Sequence, residues 1–118
     1  MERLLFVYGS LMRGEPANRL LEGARFVAES STAPGFALVD FGDWPGMLRE
    51  GDGAVRGELY AIPEALVPTL DRYEDHPAVF LRQEIDLADG TRAEAYLIRA
   101  ESARGRPRIA SGDWRLRG

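Results

Sequence analysis

The chain reads as an α+β protein: a small mixed β-barrel of about six strands with two short flanking helices. Three observations predict this class. Short runs rich in Val, Leu, Ile, Phe and Tyr recur between Gly, Pro and Asp turn signals. Helical periodicity appears in only two stretches. The middle of the chain lacks the regular crossover helices that a doubly wound sheet requires. The 118 residues suit a single domain spanning 1–118.

The first element is an apolar strand, Leu4 to Tyr8, that stops abruptly at Gly9-Ser10. Glycine there lets the backbone turn or approach a ligand closely. A short helix follows, with Pro16 ahead of Ala17 to Leu21 and Gly23 as its stop. A strand end, a Gly-Ser turn and a helix start can bring several N–H groups onto one anion, although a strand leading into a plain loop has the same pattern. The turn is neither a dinucleotide fingerprint nor a P-loop, since it has no GxGxxG and no Lys.

Ala24 to Phe41 predicts two β segments, joined or bent between Ser30 and Gly35. Gly42 to Gly46 is a loop, and its Trp44 reads as a plug over the core or as a pocket wall. A short strand at Met47 to Glu50, an Asp-Gly hairpin turn at Gly51 to Gly53 and a strand over Ala54 to Ile62 follow. Gly57 inside that last strand points to a bulge or a close backbone contact. Pro63 to Glu74 is the second helix; Pro68 either delays its start to near Val67 or makes its first turn irregular. Ala78 to Leu87 and Ala93 to Ile98 form a hairpin about Ala88-Asp89-Gly90. From Glu101 onward the chain reads as an Arg-rich, loop-like segment, 101–118.

Composition narrows the chemistry. With no cysteine there is no disulfide, thiolate nucleophile or thiolate metal site. A single histidine, His76, rules out a His-rich zinc site, and all 15 basic residues are arginine, which rules out a lysine Schiff base. The net charge of −4 argues against general nucleic-acid binding. No apolar run approaches the ~20 residues of a membrane span, so a cytoplasmic protein is the expectation, while the sequence leaves both a monomer and a weak homodimer open. The arginines of the last twenty residues form either a basic patch or, with Gly105, Pro107 and Gly112 among them, a solvated tail.

One carboxylate stands out. On a helical wheel with Leu66 at zero, Leu70 lies near roughly 40°, Val67 near 100° and Glu74 near 80°, which puts Glu74 inside the apolar stripe. Glu74 also sits at the helix C-terminus, where the dipole disfavours negative charge. Both effects raise a carboxyl pKa, and burial acts most strongly. Such a group can take and return a proton near neutral pH. The competing reading is an ion pair with Arg82 or a side chain bent out to water. Asp75 and His76 read as serving the turn that follows.

Two separated stretches then carry a family likeness. VYGSLMRGEPANRLL, Val7 to Leu21, resembles the YGSL signature of the γ-glutamylcyclotransferase-like family. GELYAI, then LDRYEDHPAVFLRQEI, resembles that family's Gly-Glu-Leu-Tyr strand, Leu-Asp-x-x-Glu helix end and aromatic-x-Arg strand, and the likeness extends to SGDW near the C-terminus. The RGEP portion is most similar to the γ-glutamylamine cyclotransferase branch and its small bacterial relatives. The resemblance implies a compact β-barrel, no cofactor, and a γ-glutamyl small-molecule substrate held by Tyr8, Gly9, Ser10 and Leu11. It implies Glu74 as the acid–base residue, with release of 5-oxoproline and a free amine. Arg82 is a further candidate for positioning substrate or Glu74. The sequence departs from the family at Asp75-His76, often Gly-Tyr, and at Phe80, often Tyr. Asp75 and His76 bear on the leaving-group side, and Phe80 lacks the hydroxyl of the family's tyrosine. The rival readings are a non-catalytic binding domain using the same pocket and an interaction module using the Arg-rich tail.

Overall fold

A computed structural model describes residues 1–117. Seven strands form one sheet: β1 Glu2–Val7, β2 Arg25–Ser31, β3 Phe36–Asp40, β4 Pro45–Arg49, β5 Arg56–Pro63, β6 Phe80–Asp86 and β7 Arg92–Ile98. Two short α-helices accompany them, α1 Val67–Tyr73 and α2 Ala100–Ala103, with 3-10 turns at Asn18–Leu21, Glu64–Leu66 and Trp114–Leu116.

The strand order is β2-β5-β1-β7-β4-β3, with β6 added on β7. The predicted barrel is thus a curled sheet that does not close as a ladder. Its curl brings the end of β2 to the end of β6 through the Thr32–Leu87 bridge. β1 pairs antiparallel with β5, from Glu2 against Pro63 to Val7 against Glu58, and parallel with β7 at Leu5 against Glu94. β4 also runs parallel to β7, at Met47 against Leu97. Because β1 and β7 are parallel, their carboxyl ends share one edge of the sheet, and that edge is where the site forms.

The hydrophobic centre comprises Leu5, Phe6, Leu38, Met47, Leu70 and Ile85, all essentially inaccessible to water. Gly57 supplies the close contact its position in a strand implied. A Cβ there would stand 2.1 Å from the Val7 carbonyl oxygen, so no larger residue fits beside β1. The bulge lies elsewhere, in β2 between Phe26 and Ala28.

Three expectations are corrected. The first helix is only a 3-10 turn, because the Asn18 side chain donates to the Leu11 carbonyl and the Tyr60 hydroxyl, tying the segment to the sheet. Gly51 to Gly53 is not a hairpin turn: β4 and β5 lie in different parts of the sheet, and the Gly53 carbonyl accepts from the Gly35 and Phe36 amides instead. The true hairpins are β3–β4 and β6–β7. The C-terminal segment is not a solvated loop: Trp114 is buried, Arg108 pairs with Glu50, and Arg115 pairs with Glu15 and Glu58. The second helix divides at Pro68 as one alternative required, a 3-10 turn passing into α1 at Val67.

Candidate active site

The turn after β1 is built by close packing. A Cβ on Gly9 would lie 2.6 Å from the Pro45 ring, so glycine alone lets β1 run this close to β4. The Met12 amide donates to the Gly9 carbonyl at 3.0 Å, and the Ala17 amide to the Ser10 carbonyl at 3.0 Å, which closes the loop. The amides of Gly9, Ser10 and Leu11 donate to no acceptor among the described residues. Free donors are what a bound carboxylate or a developing oxyanion requires. They come from the turn itself and not from a helix end.

Tyr8 fixes the turn from below. Its hydroxyl donates to the Tyr96 carbonyl at 2.6 Å and accepts from the Met47 amide at 3.2 Å, linking β1 to β7 and β4. Burial, and then the charge of Glu74, hold this phenol well above its usual range, so it remains neutral. Tyr8 lines the cavity, and its hydroxyl is engaged with backbone. Ser10 Oγ lies 2.9 Å from the Tyr73 hydroxyl across the mouth.

Glu74 is the C-cap of α1. The helix ends in a Schellman arrangement: the His76 amide donates to the Asp71 carbonyl and the Asp75 amide to the Arg72 carbonyl. Asp75 occupies the left-handed position with φ 54°, one that favours glycine but that aspartate tolerates. This closure presents Glu74 to the cavity. Its carboxylate makes no hydrogen bond or ion pair with any described residue, and burial pushes its pKa up from 4.5 to about 7. The predicted raised carboxyl is therefore present, and the competing ion pair with Arg82 is not formed.

Turn and helix end meet in one cavity of about 290 Å³, at the small end of ligand sites, which run from roughly 300 to 1,000 Å³. Tyr8, Gly9, Ser10, Leu11 and Glu74 all line it. Arg82 does not. Its guanidinium bonds Asp71 at 3.0 Å and Glu94 at 2.9 Å, and its amide donates to His76 Nδ1. Burial raises the Asp71 pKa, but hydrogen bonds from Arg82 and from the Tyr96 hydroxyl outweigh it and keep Asp71 ionised. Arg82 thus braces α1 and the loop after Glu74 from behind the cavity wall, and His76 serves that loop. Trp44 is the pocket wall rather than the core plug: it is 38% exposed and stacks on Phe41 at 4.4 Å. Tyr73, Val79 and Phe80 also line the cavity without having been singled out for it from their residue types. The one available signal was adjacency, since Tyr73 precedes Glu74 and Phe80 opens the strand after it.

Among the described residues no group of three His, Asp or Glu side chains could hold a metal ion, and no helix is long and apolar enough to cross a membrane. A buried carboxyl without partners, on the same cavity as free turn amides at the end of a curled seven-strand sheet, marks the candidate site of a small enzyme.

Comparison with known proteins gives the particular family. The model of the gamma-glutamyl cyclotransferase, AIG2-like family matches residues 5–116, and the chain belongs to that family. It is 38% identical over 114 residues to a Vibrio cholerae protein named "Putative gamma-glutamylcyclotransferase", covering 97% of this chain and 96% of that one. It is 36% identical over 88 residues to the human gamma-glutamylaminecyclotransferase, covering 67% of this chain and 58% of the human protein. Among solved structures, a uropathogenic E. coli-specific protein superposes with a TM-score of 0.87 at 32% identity, covering 98% of this chain and 94% of that one.

Proposed function

We propose that this protein is a cyclotransferase that converts a γ-glutamyl amine or γ-glutamyl amino acid to 5-oxoproline and a free amine. The observation that carries the reading is Glu74, a carboxyl without partners and with a pKa near 7, on the same cavity as the unengaged amides of Gly9, Ser10 and Leu11. In this reading Glu74 takes a proton from the substrate α-amine. The amine nitrogen bonds to the γ-carbonyl carbon and closes a five-membered ring. The turn amides hold the substrate carboxylate or the oxyanion that develops. As the tetrahedral centre collapses, its bond to the leaving nitrogen breaks and that nitrogen takes the proton back from Glu74. No proton is gained or lost overall, so a single residue with a pKa near ambient pH serves both steps. Ring closure is intramolecular, and much of the rate gain lies in holding the folded conformer of the substrate.

The test is 5-oxoproline release from a panel of γ-glutamyl amines and amino acids, with wild type beside Glu74→Gln. The variant keeps the shape and removes the base; turnover falls by about 10²–10⁴-fold while substrate still binds. A folded wild type that binds panel members and turns over none would favour a non-catalytic binding domain instead.

A further inference from the structure

We propose that the aromatic wall of Trp44 and Phe80 selects the leaving amine, and that the preferred substrates are γ-glutamyl derivatives of apolar amines that bear no carboxylate. The inference rests on the cyclotransferase reading and extends it to the other half of the substrate. The cavity has two unlike sides. Its polar groups, the turn amides, the Ser10 and Tyr73 hydroxyls, Glu74 and Asp75, belong to the turn after β1 and the end of α1. Apart from the apolar residues of β1 and its turn, Phe6, Val7, Tyr8 and Leu11, the remainder is Trp44, Pro45, Val79, Phe80 and Tyr96. A γ-glutamyl head carries an amine and a carboxylate, and only the first side can satisfy them. The leaving group is then left against the aromatic side.

That side is built to hold a shape. Trp44 stacks on Phe41 with an interplanar angle of 7° and packs against Phe80 at 5.7 Å between ring centres. Trp44 is nonetheless among the most exposed large apolar side chains of the described residues, so a ligand placed on it removes apolar surface from water. Charge excludes the acidic alternative. No arginine lines the cavity: Arg82 is held by Asp71 and Glu94, and Arg106 lies over Phe41, which is itself not a lining residue. A second carboxylate on the leaving group would meet Glu74 and Asp75 with no cation to offset them.

The test uses γ-glutamylbenzylamide, its 4-carboxybenzyl analogue and a γ-glutamyl derivative of 1,4-diaminobutane. Wild-type turnover is measured first, and binding to Glu74→Gln by calorimetry second. The benzylamide is expected to exceed the carboxybenzyl compound at least tenfold in kcat/KM and in affinity, and to exceed the diamine, whose second ammonium gives up its hydration against the aromatic side. Trp44→Arg, checked for folding by circular dichroism, is expected to narrow or reverse the gap between benzyl and carboxybenzyl compounds. Equal or better use of the carboxybenzyl or diamine compound by wild type overturns the inference, as does a preference that Trp44→Arg leaves unchanged. If nothing is turned over, the cyclotransferase reading fails separately, and the binding series still decides the selectivity of the wall.

Discussion

Glu74 owes its raised pKa to burial without a charged or hydrogen-bonding neighbour among the described residues. Among the described residues twelve pairs form ion pairs, and the charged groups around the site, Asp71, Arg82 and Glu94, are among them, yet Glu74 is in none. Burial without compensation is what raises its pKa to about 7. That rise has a stability consequence. The unfolded carboxyl ionises near 4.5 and the folded one near 7, so the folded state holds its proton more tightly between those values. Stability is therefore lost as pH rises through this window, and the full cost is present above about pH 7. Glu74→Gln removes the charge and is expected to stabilise the protein by about 1–3 kcal/mol at pH 8, allowing for the water that reaches the carboxylate, and by little at pH 4.5. Urea unfolding of both proteins at the two pH values checks this; an equal difference at both would mean that the charge of Glu74 is not the cause.

At the scale of elements, the end of α1 decides where Glu74 points. Its Schellman closure needs a left-handed residue, and Asp75 fills that place at φ 54°. Asp75→Gly relieves the backbone at that position and is expected to stabilise by up to ~1 kcal/mol, whereas Asp75→Val is expected to destabilise by about 1–2 kcal/mol. Thermal melts measure both, and a destabilising Asp75→Gly would contradict this account of the helix end. The helical stripe made Glu74 legible in the sequence, because period and position in α1 are local properties. Trp44 was not legible in the same way. Whether a loop tryptophan plugs a core or walls a pocket depends on Phe41 and Phe80, one on the same loop and the other 36 positions along the chain. The pairing of Arg82 depends likewise on Asp71 and Glu94, on other elements.

At the scale of the whole molecule, the class of fold was legible because strands, turns and the stretch that forms α1 each leave local marks. The pairing of the strands was not. A Gly-Asp-Gly turn between two strands looks like a hairpin, but β5 finds β1 and β2, while β4 finds β3 and β7. Non-local pairing of this kind is set by packing, and Gly57 against Val7 and Gly9 against Pro45 are its contact points. The C-terminal arginines misled in the same way. Composition makes them a tail, but a buried carboxylate, Glu58, receives Arg115 and the Arg13 amide and draws the segment onto the turn loop. Sheet, loop and helix end together put a raised carboxyl and free amides on one cavity, and the acid–base claim rests on that convergence.

The measurement that tests this claim most directly is the pH dependence of kcat/KM for wild-type 5-oxoproline release between pH 5 and 8. A rise of one decade per pH unit that levels off near pH 7 is expected, as Glu74 becomes the ionised base. A profile already flat above pH 5 would contradict it, because the base would then have an ordinary carboxylate pKa and Glu74 in this environment would not be that base.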